Sequence, residues 1–317
     1  MLRAARLSQA AFPTCRSKTA VTNAFPDPHQ ELQRALDRNE LLLAYQPIVD
    51  LHDGTLGGAE ALLRWNHPTR GLLWPGDFLP TVDDGDLSVR LGAFVMDEAA
   101  RQATAWRART PGNAFRVAVN VSGAQLEADE LVTQFAYTQR AHDLDEGALA
   151  LEIREPTLFA DVERNRARIE ALKHLGAQIV VDDFGTGYAS ATDGDAPQSA
   201  TRHTGATDGL LLSLVALENF SVDVLAIDRR LLERLFTGAP DAALVDAVVT
   251  IAHLFGFRVL AEGVETAAEA EHLRRSGCDL AQGYYFHRPQ SPEYIEILLR
   301  EAREARREQV LRRVQPA

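Results

Sequence analysis

Residues 178–183 read Gln178-Ile179-Val180-Val181-Asp182-Asp183, a short apolar run that stops on two acids. A run without polar alternation is what a strand buried on both faces carries, and such strands belong to parallel sheets. An amphipathic segment, about Glu163–Leu175, precedes it. Seven further runs read the same way: Leu41–Val49, Leu56–Leu63, Phe115–Val121, Ala148–Ile153, Val222–Asp228, Arg258–Glu262 and Asp279–Tyr285. Helical patterns lie between most of them. Leu87, Leu91, Phe94, Val95, Ala99, Ala103 and Trp106 share one helix face, and Asp241–Phe255 and Ala267–Ser276 repeat the pattern. Strand–helix alternation predicts an α/β fold with a parallel sheet. Eight units over about 260 residues predict a closed (β/α)8 barrel of the TIM type. The rival is an open doubly wound sheet, weakened because no GxGxxG turn follows an early strand.

The chain has 317 residues, 45 acids and 33 bases, a net charge of −12. That balance argues against a duplex-binding protein, which gains affinity from phosphate contacts. It leaves small nucleotides open, since metal ions mediate between acids and phosphates. No run of about 18 apolar residues exists, so no membrane-spanning helix is expected. Cys15 and Cys278 lack any ligand spacing, which disfavours a zinc site or disulfide framework and fits a reducing, cytoplasmic compartment. The only lysines are Lys18 and Lys173. Residues 1–27 carry Arg3, Arg6, Arg16 and Lys18 with no acid before Asp27. They read as a disordered leader in preference to a targeting presequence. Residues 28–300 form the predicted barrel. Residues 301–317 extend a helix expected from Glu293 to Arg313, charged and solvated.

Nearly every predicted strand stops at an acid or amide. The set is Glu60, Asn120, Glu152, Asp182 with Asp183, Asp228, Glu262 and Gln282. In a parallel barrel these ends converge on the mouth where active sites are built. Two unit charges 4 Å apart repel by about 4 kcal/mol at an effective dielectric of 20. Such a rim therefore holds protons or cations. Oxygen donors without cysteine select Mg²⁺, Mn²⁺ or Ca²⁺ over zinc. A single acid at such a place is more often the N-cap of the next helix, and Asp183 or Asp228 could be that. The repetition favours a metal site and metal-assisted hydrolysis of a phosphoester, in which bound cations acidify a water. Enolisation, the competing barrel chemistry, needs a lysine or histidine base that no strand end supplies. His67, His253 and His287 read as surface or capping residues.

These residues sit in a series of ordered motifs: YQPIVD (45–50), EALLRW (60–65), HPTRGLLWPGDFLP (67–80), VNVS (119–122), LEIRE (151–155), DDFGTGY (182–188), AEGVET (261–266) and QGYYFHRP (282–289). In this the sequence resembles the EAL domain family, bacterial signalling barrels that hydrolyse or sense cyclic di-GMP. The likeness covers about residues 30 to 300. It implies metal ligands at Glu60, Asn120, Glu152, Asp182, Asp183 and Glu262, with Mg²⁺ or Mn²⁺ as cofactor and Ca²⁺ inhibitory. Asp182 would bridge two cations, and Asp228 would sit beside the second. Catalytic roles would fall to Glu60, Glu262, Gln282, which would place the attacking water, and Glu155, which would anchor the loop after DDFG. Gln46 and Arg64 would face the nucleotide, the guanidinium as a fork for phosphate. Pro75 and Phe78 would lie against a guanine, unless Pro75 opens a helix and Phe78 packs inward. A homodimer and a signalling partner are the protein contacts the likeness implies.

Three departures from the family pattern stand out. Ala226 occupies the place of a family lysine thought to hold the attacking water. Losing one preorganised stabiliser costs about 10²–10³ in rate. Residues 190–209 form a polar insertion without aromatic or large aliphatic residues, expected to be mobile. Arg154 and Pro156 flank Glu155, with Arg154 expected either beside a rim acid or in the helix layer. Three functions compete: recognition of cyclic di-GMP with weak or absent hydrolysis to pGpG, an active phosphodiesterase, and an interaction module without nucleotide.

Overall fold

The structure, a computed structural model, describes residues 28–81, 85–109, 115–186, 206–233 and 239–314. The expected leader, residues 1–27, lies outside them, as do residues 190–205 of the expected insertion. Residues 206–209 of that stretch are instead the first turn of a helix, Ala206–Leu217.

Nine strands form one sheet: β1 Leu41–Asp50, β2 Leu56–His67, β3 Gly71–Leu73, β4 Arg116–Val121, β5 Leu149–Arg154, β6 Gln178–Phe184, β7 Val224–Ile227, β8 Arg258–Ala261 and β9 Leu280–Ala281. The order β1-β9-β8-β7-β6-β5-β4-β2-β3, with β1 also paired to β2, closes an eight-stranded barrel and leaves β3 as a flap on β2. All eight expected strands are present. Those around Val222–Asp228 and Asp279–Tyr285 are shorter than expected, four and two residues.

The sheet is not wholly parallel. β1 runs antiparallel to both β2 and β9. Only residues 51–55 join β1 to β2, and a parallel crossover needs a dozen or more residues. The turn carries Asp53-Gly54, with Gly54 at φ 72° and the Asp50 N–H bonded to the Thr55 carbonyl at 2.8 Å. An Asp-Gly pair between apolar runs is a hairpin signal that the parallel reading passed over.

The apolar residues divide into two layers. One lies between barrel and helices. There Leu87, Leu91, Ala99, Ala103 and Trp106 of the helix Asp86–Arg109 are buried, as their spacing required, while Phe94 and Val95 are only partly buried and Met96 is buried in addition. The other fills the barrel: Ile48, Ala118, Ala150, Val180, Val224, Ala226, Leu260 and Leu280. Side chains repeat every second residue along a strand. The residues two further on from this inner layer therefore point the same way, toward one mouth.

The ends of the helices are set by local chemistry. Ser122 and Thr266 make capping boxes with Gln125 and Glu269, starting Gly123–Glu127 and Ala267–Arg275. The last helix, Pro292–Val314, runs unbroken from the barrel into the expected charged extension. Among the described residues no helix is long and apolar enough to cross a membrane.

Candidate functional site

Two residues beyond Ala118, Ala150, Val180, Ala226, Leu260 and Leu280 come Asn120, Glu152, Asp182, Asp228, Glu262 and Gln282. The register places Asn120 opposite Glu152 and Arg154 opposite Asp182. β1 contributes from the opposite direction: Gln46 pairs with Glu60 across the antiparallel ladder. Closure of the barrel thus gathers the predicted rim.

Glu60 is its centre. Asn120 Nδ2 donates to Glu60 Oε1 at 2.8 Å, and Gln282 Nε2 donates to Glu60 Oε2 at 3.0 Å. The same Gln282 nitrogen reaches Glu262 Oε1 at 3.1 Å. Burial raises the Glu60 carboxyl, while these two amides and Arg64 oppose the rise. Glu152 and Glu262 are driven well above the usual carboxylate range, by burial first and then by neighbouring acids. Burial, then the charges of Asp183 and Glu60, pushes Asp182 up to about 7. Asp183 is raised by burial and Asp228, with Arg154 and Arg230 pulling the other way.

Consecutive strand residues ordinarily face opposite sides. Asp182 and Asp183 escape this because the β6–β7 register shifts between Val181 and Phe184, and Asp183 adopts φ 58°. A non-glycine residue in that region is uncommon, with aspartate among the types that tolerate it. The Asp183 N–H bonds back to Asp182 Oδ1 at 2.6 Å. Asp228 does serve as a cap, as the simpler reading had it: its Oδ1 accepts the Arg230 N–H at 2.8 Å at the start of the helix Arg229–Glu233.

Glu155 opens the short helix Glu155–Phe159. It accepts hydrogen bonds from the Gly185 N–H and the Ser213 hydroxyl, while burial raises its carboxyl. It therefore ties the turn after Asp183 to the helix Ala206–Leu217.

The residues expected to face a nucleotide separate. Gln46 Nε2 donates to the His287 carbonyl at 3.4 Å. Arg64 is only 1% exposed. Its guanidinium donates to the Leu63 carbonyl at 2.8 Å and lies 4.0 Å from the ring centre of Trp74. Burial, against the pull of Glu60 and Tyr284, brings it down to about 10. Pro75 starts the helix Pro75–Phe78 and is half-buried. Phe78 is 1% exposed, edge-on to Trp65 at 5.6 Å, so it takes the inward of its two expected positions. Of the two roles expected for His67, it takes the capping one: buried against Trp65, 4.9 Å between ring centres, its Nδ1 accepts the Thr69 N–H at 3.2 Å and the Arg70 N–H at 3.3 Å. His253 is exposed and pairs with Asp279 at 2.8 Å. His287 is half-buried.

Sequence reasoning missed Trp74 and the stack of Arg288 over Tyr284 at 4.1 Å. Both lie inside motifs already singled out. An aromatic beside an arginine in those motifs was the available signal.

Ala226 is fully buried in the inner layer, beneath Asp228 and in register with Leu260. No other base takes its place among the described residues. Arg229 is turned outward to Glu233 at 2.7 Å and Glu265 at 2.6 Å. Lys173 pairs with Asp223 at 2.5 Å, at the start of β7 and the opposite end of the barrel.

Among the described residues no three His, Cys, Asp or Glu side chains already form a cation-ligating group. Both oxygens of Glu60 are engaged by amides, and the other acids repel. The donor chemistry nonetheless suits a divalent ion. It is all oxygen, and the buried Glu152 Oε1 and Gln282 Oε1 have no hydrogen-bond partner. An unpaired buried carboxylate oxygen is costly without a proton or cation.

The family model for the EAL domain matches residues 29–193 and 209–289, passing over most of the polar insertion. The bifunctional diguanylate cyclase/cyclic di-GMP phosphodiesterase MucR of Pseudomonas aeruginosa is 36% identical over 266 residues, 84% of this chain and 35% of that protein. The chain thus spans about a third of that relative's length. A solved structure described as the PaMucR phosphodiesterase in complex with c-di-GMP superposes with TM-score 0.72. It is 33% identical and covers 84% of this chain and 99% of that one. The EAL domain of Mycobacterium smegmatis DcpA gives TM-score 0.64 at 30% identity, over 83% and 97% of the two chains. With the barrel, its acid rim and a family match across most of its length, the chain belongs to the EAL domain family.

Proposed function

We propose that the acid rim recognises cyclic di-GMP together with divalent cations, and that hydrolysis to pGpG is weak or absent. The observation that carries this reading is the gathering of Glu60, Glu152, Asp182 and Glu262 above a buried Ala226. Mg²⁺ or Mn²⁺ would be held by Glu60, Asn120, Glu152, Asp182, Asp183 and Glu262. When bound, the cations supply charge neutralisation and a more acidic water. The chain's own residues do the rest. Gln282 holds Glu60 and Glu262 together and orients them. Arg64, backed by Trp74 and 1% exposed, would have to turn outward from that stack to offer its planar fork to a phosphate. Glu155 braces the turn that carries Asp183. Ala226 supplies neither a donor nor a charge where a lysine would steady the incoming water and the developing negative charge on the phosphoryl oxygens. MucR is named a phosphodiesterase and its solved structure holds c-di-GMP, which favours this ligand for a chain 36% identical.

A second reading, an active phosphodiesterase, has the otherwise complete ligand set in its favour. Calorimetric titration with cyclic di-GMP in Ca²⁺, followed by chromatography for pGpG in Mn²⁺, separates them. Binding heat with turnover at least a hundredfold below an intact family enzyme supports the proposal. Brisk pGpG release favours the second reading. Absence of heat from folded protein rejects both and leaves an interaction module. Homodimerisation through this barrel and a signalling partner belong to the same proposal. Size-exclusion chromatography with light scattering, with and without the nucleotide, tests the dimer.

A further inference from the structure

The lower mouth of the barrel, opposite the acid rim, is basic. Arg116 and Arg258 are the first residues of β4 and β8. Both line a cavity of about 40 Å³ within the barrel, with Gln178, Ala118 and Ala150 in its wall. Glu152 lines it too, but at the other end. It pairs with Asn120, four residues along β4 from Arg116, roughly 13 Å at the strand rise. The small side chains of Ala118 and Ala150 leave the space unfilled.

Neither arginine has a direct partner for its charge among the described residues. The buried Nε of Arg116 has no hydrogen-bond partner. Among the described residues neither arginine forms an ion pair. The nearby acid, Asp223, is taken by Lys173 at 2.5 Å and by the Ile179 N–H at 2.7 Å. Arg107, the third cation there, is occupied by Asp145 at 3.1 Å. Burial and the charges of Arg258 and Arg107 depress the Arg116 guanidinium, against the pull of Asp223. Two like charges sharing a partly dry cavity are costly unless an anion lies between them. The cavity is roomier than the roughly 10–15 Å³ that a single water needs, so a small anion can enter it.

We propose that this mouth binds a small monovalent anion, chloride being the representative, against the guanidinium groups of Arg116 and Arg258. The site stands apart from the nucleotide reading and survives if that reading fails.

Crystals of the full chain soaked in bromide test it directly. An anomalous peak between Arg116 and Arg258 is expected. No peak there, or peaks at the surface alone (an adventitious ion only), overturns the proposal. In solution, the melting temperature should rise saturably as sodium chloride replaces sodium gluconate at constant ionic strength. Arg258→Met should lose at least four-fifths of that rise, and an equal rise in both proteins also overturns it. If Arg258→Met does not fold, Arg258→Lys replaces it. The half-saturating chloride concentration should then increase about tenfold, because a compact ammonium cannot reproduce the planar fork. An unchanged midpoint counts against the site.

Discussion

Gln282 and Glu60 stand 222 positions apart in the sequence, yet Gln282 Nε2 donates to Glu60 Oε2 at 3.0 Å. The same nitrogen reaches Glu262. One buried amide therefore stitches the last strand of the barrel to its second and to its neighbour. Gln282→Leu removes the donor and leaves two facing carboxyls. The metal-free protein should melt about 2–10 °C lower at pH 8, from the loss of about 1–3 kcal/mol. At pH 5.5, nearer the protonated side of these raised carboxyls, the loss should be smaller. Scanning calorimetry at the two pH values reads both, and an equal loss at each would contradict the bridging role.

Ala226→Lys restores an ammonium beneath Asp228. Release of pGpG in Mn²⁺ should rise about 10²–10³-fold. The measurement is chromatographic, with a melting curve to show that the buried position accepts the longer chain. Wild-type turnover already brisk and unchanged in a folded variant would sink the idea.

The rim also sets a pH dependence. Asp182 is raised to about 7, and Glu60, Glu152, Asp183 and Glu262 are raised as well. Groups raised on folding contribute stability that is complete below their unfolded values, about 4, and lost as pH climbs through the folded ones. Metal-free protein should therefore lose stability as pH rises from about 4 through about 7. Added Mn²⁺ should raise the melting temperature more at pH 8 than at pH 5.5, since protons and cations compete for the same oxygens. A cation effect independent of pH would show that the ion binds elsewhere.

Trp74→Ala takes away the surface on which the Arg64 guanidinium rests. A cation–π contact of about 0.5–2 kcal/mol translates into about two- to thirtyfold weaker cyclic di-GMP binding. Trp74→Phe should recover part of it. Calorimetry in Ca²⁺ decides, and an unaltered dissociation constant for Trp74→Ala removes Trp74 from the site.

Phe78→Ala separates packing from recognition. With its ring against Trp65 and 1% exposed, truncation should cost about 3–5 kcal/mol of stability. Chemical denaturation measures this. A change below about 1 kcal/mol with a large loss of nucleotide affinity would return Phe78 to the guanine-facing role.

Much of the fold was readable because burial on both faces forces continuous apolar runs, and seven of the eight end near an acid or amide. β1 was the exception. Its direction was written in Asp53-Gly54 and the five-residue link, but its composition matches that of the parallel strands. Phe78 was ambiguous, and the burial of His67 was missed, for a related reason. Amphipathic side chains occur both in cores and at site edges, and only the neighbours, here Trp65, distinguish the two.

From its residues alone the chain determined a barrel with a ring of oxygen donors at one end, because strand period and apolar content are local properties. Tertiary structure decided what that ring is made of at atomic reach. Barrel closure brought Gln282 onto Glu60, the shifted register at Val181–Phe184 turned two successive aspartates to one mouth, and the fold brought Arg116 and Arg258 to line one cavity at the other. Those are distances between residues remote in sequence, and distance, not residue type, governs how strongly charges and hydrogen bonds act.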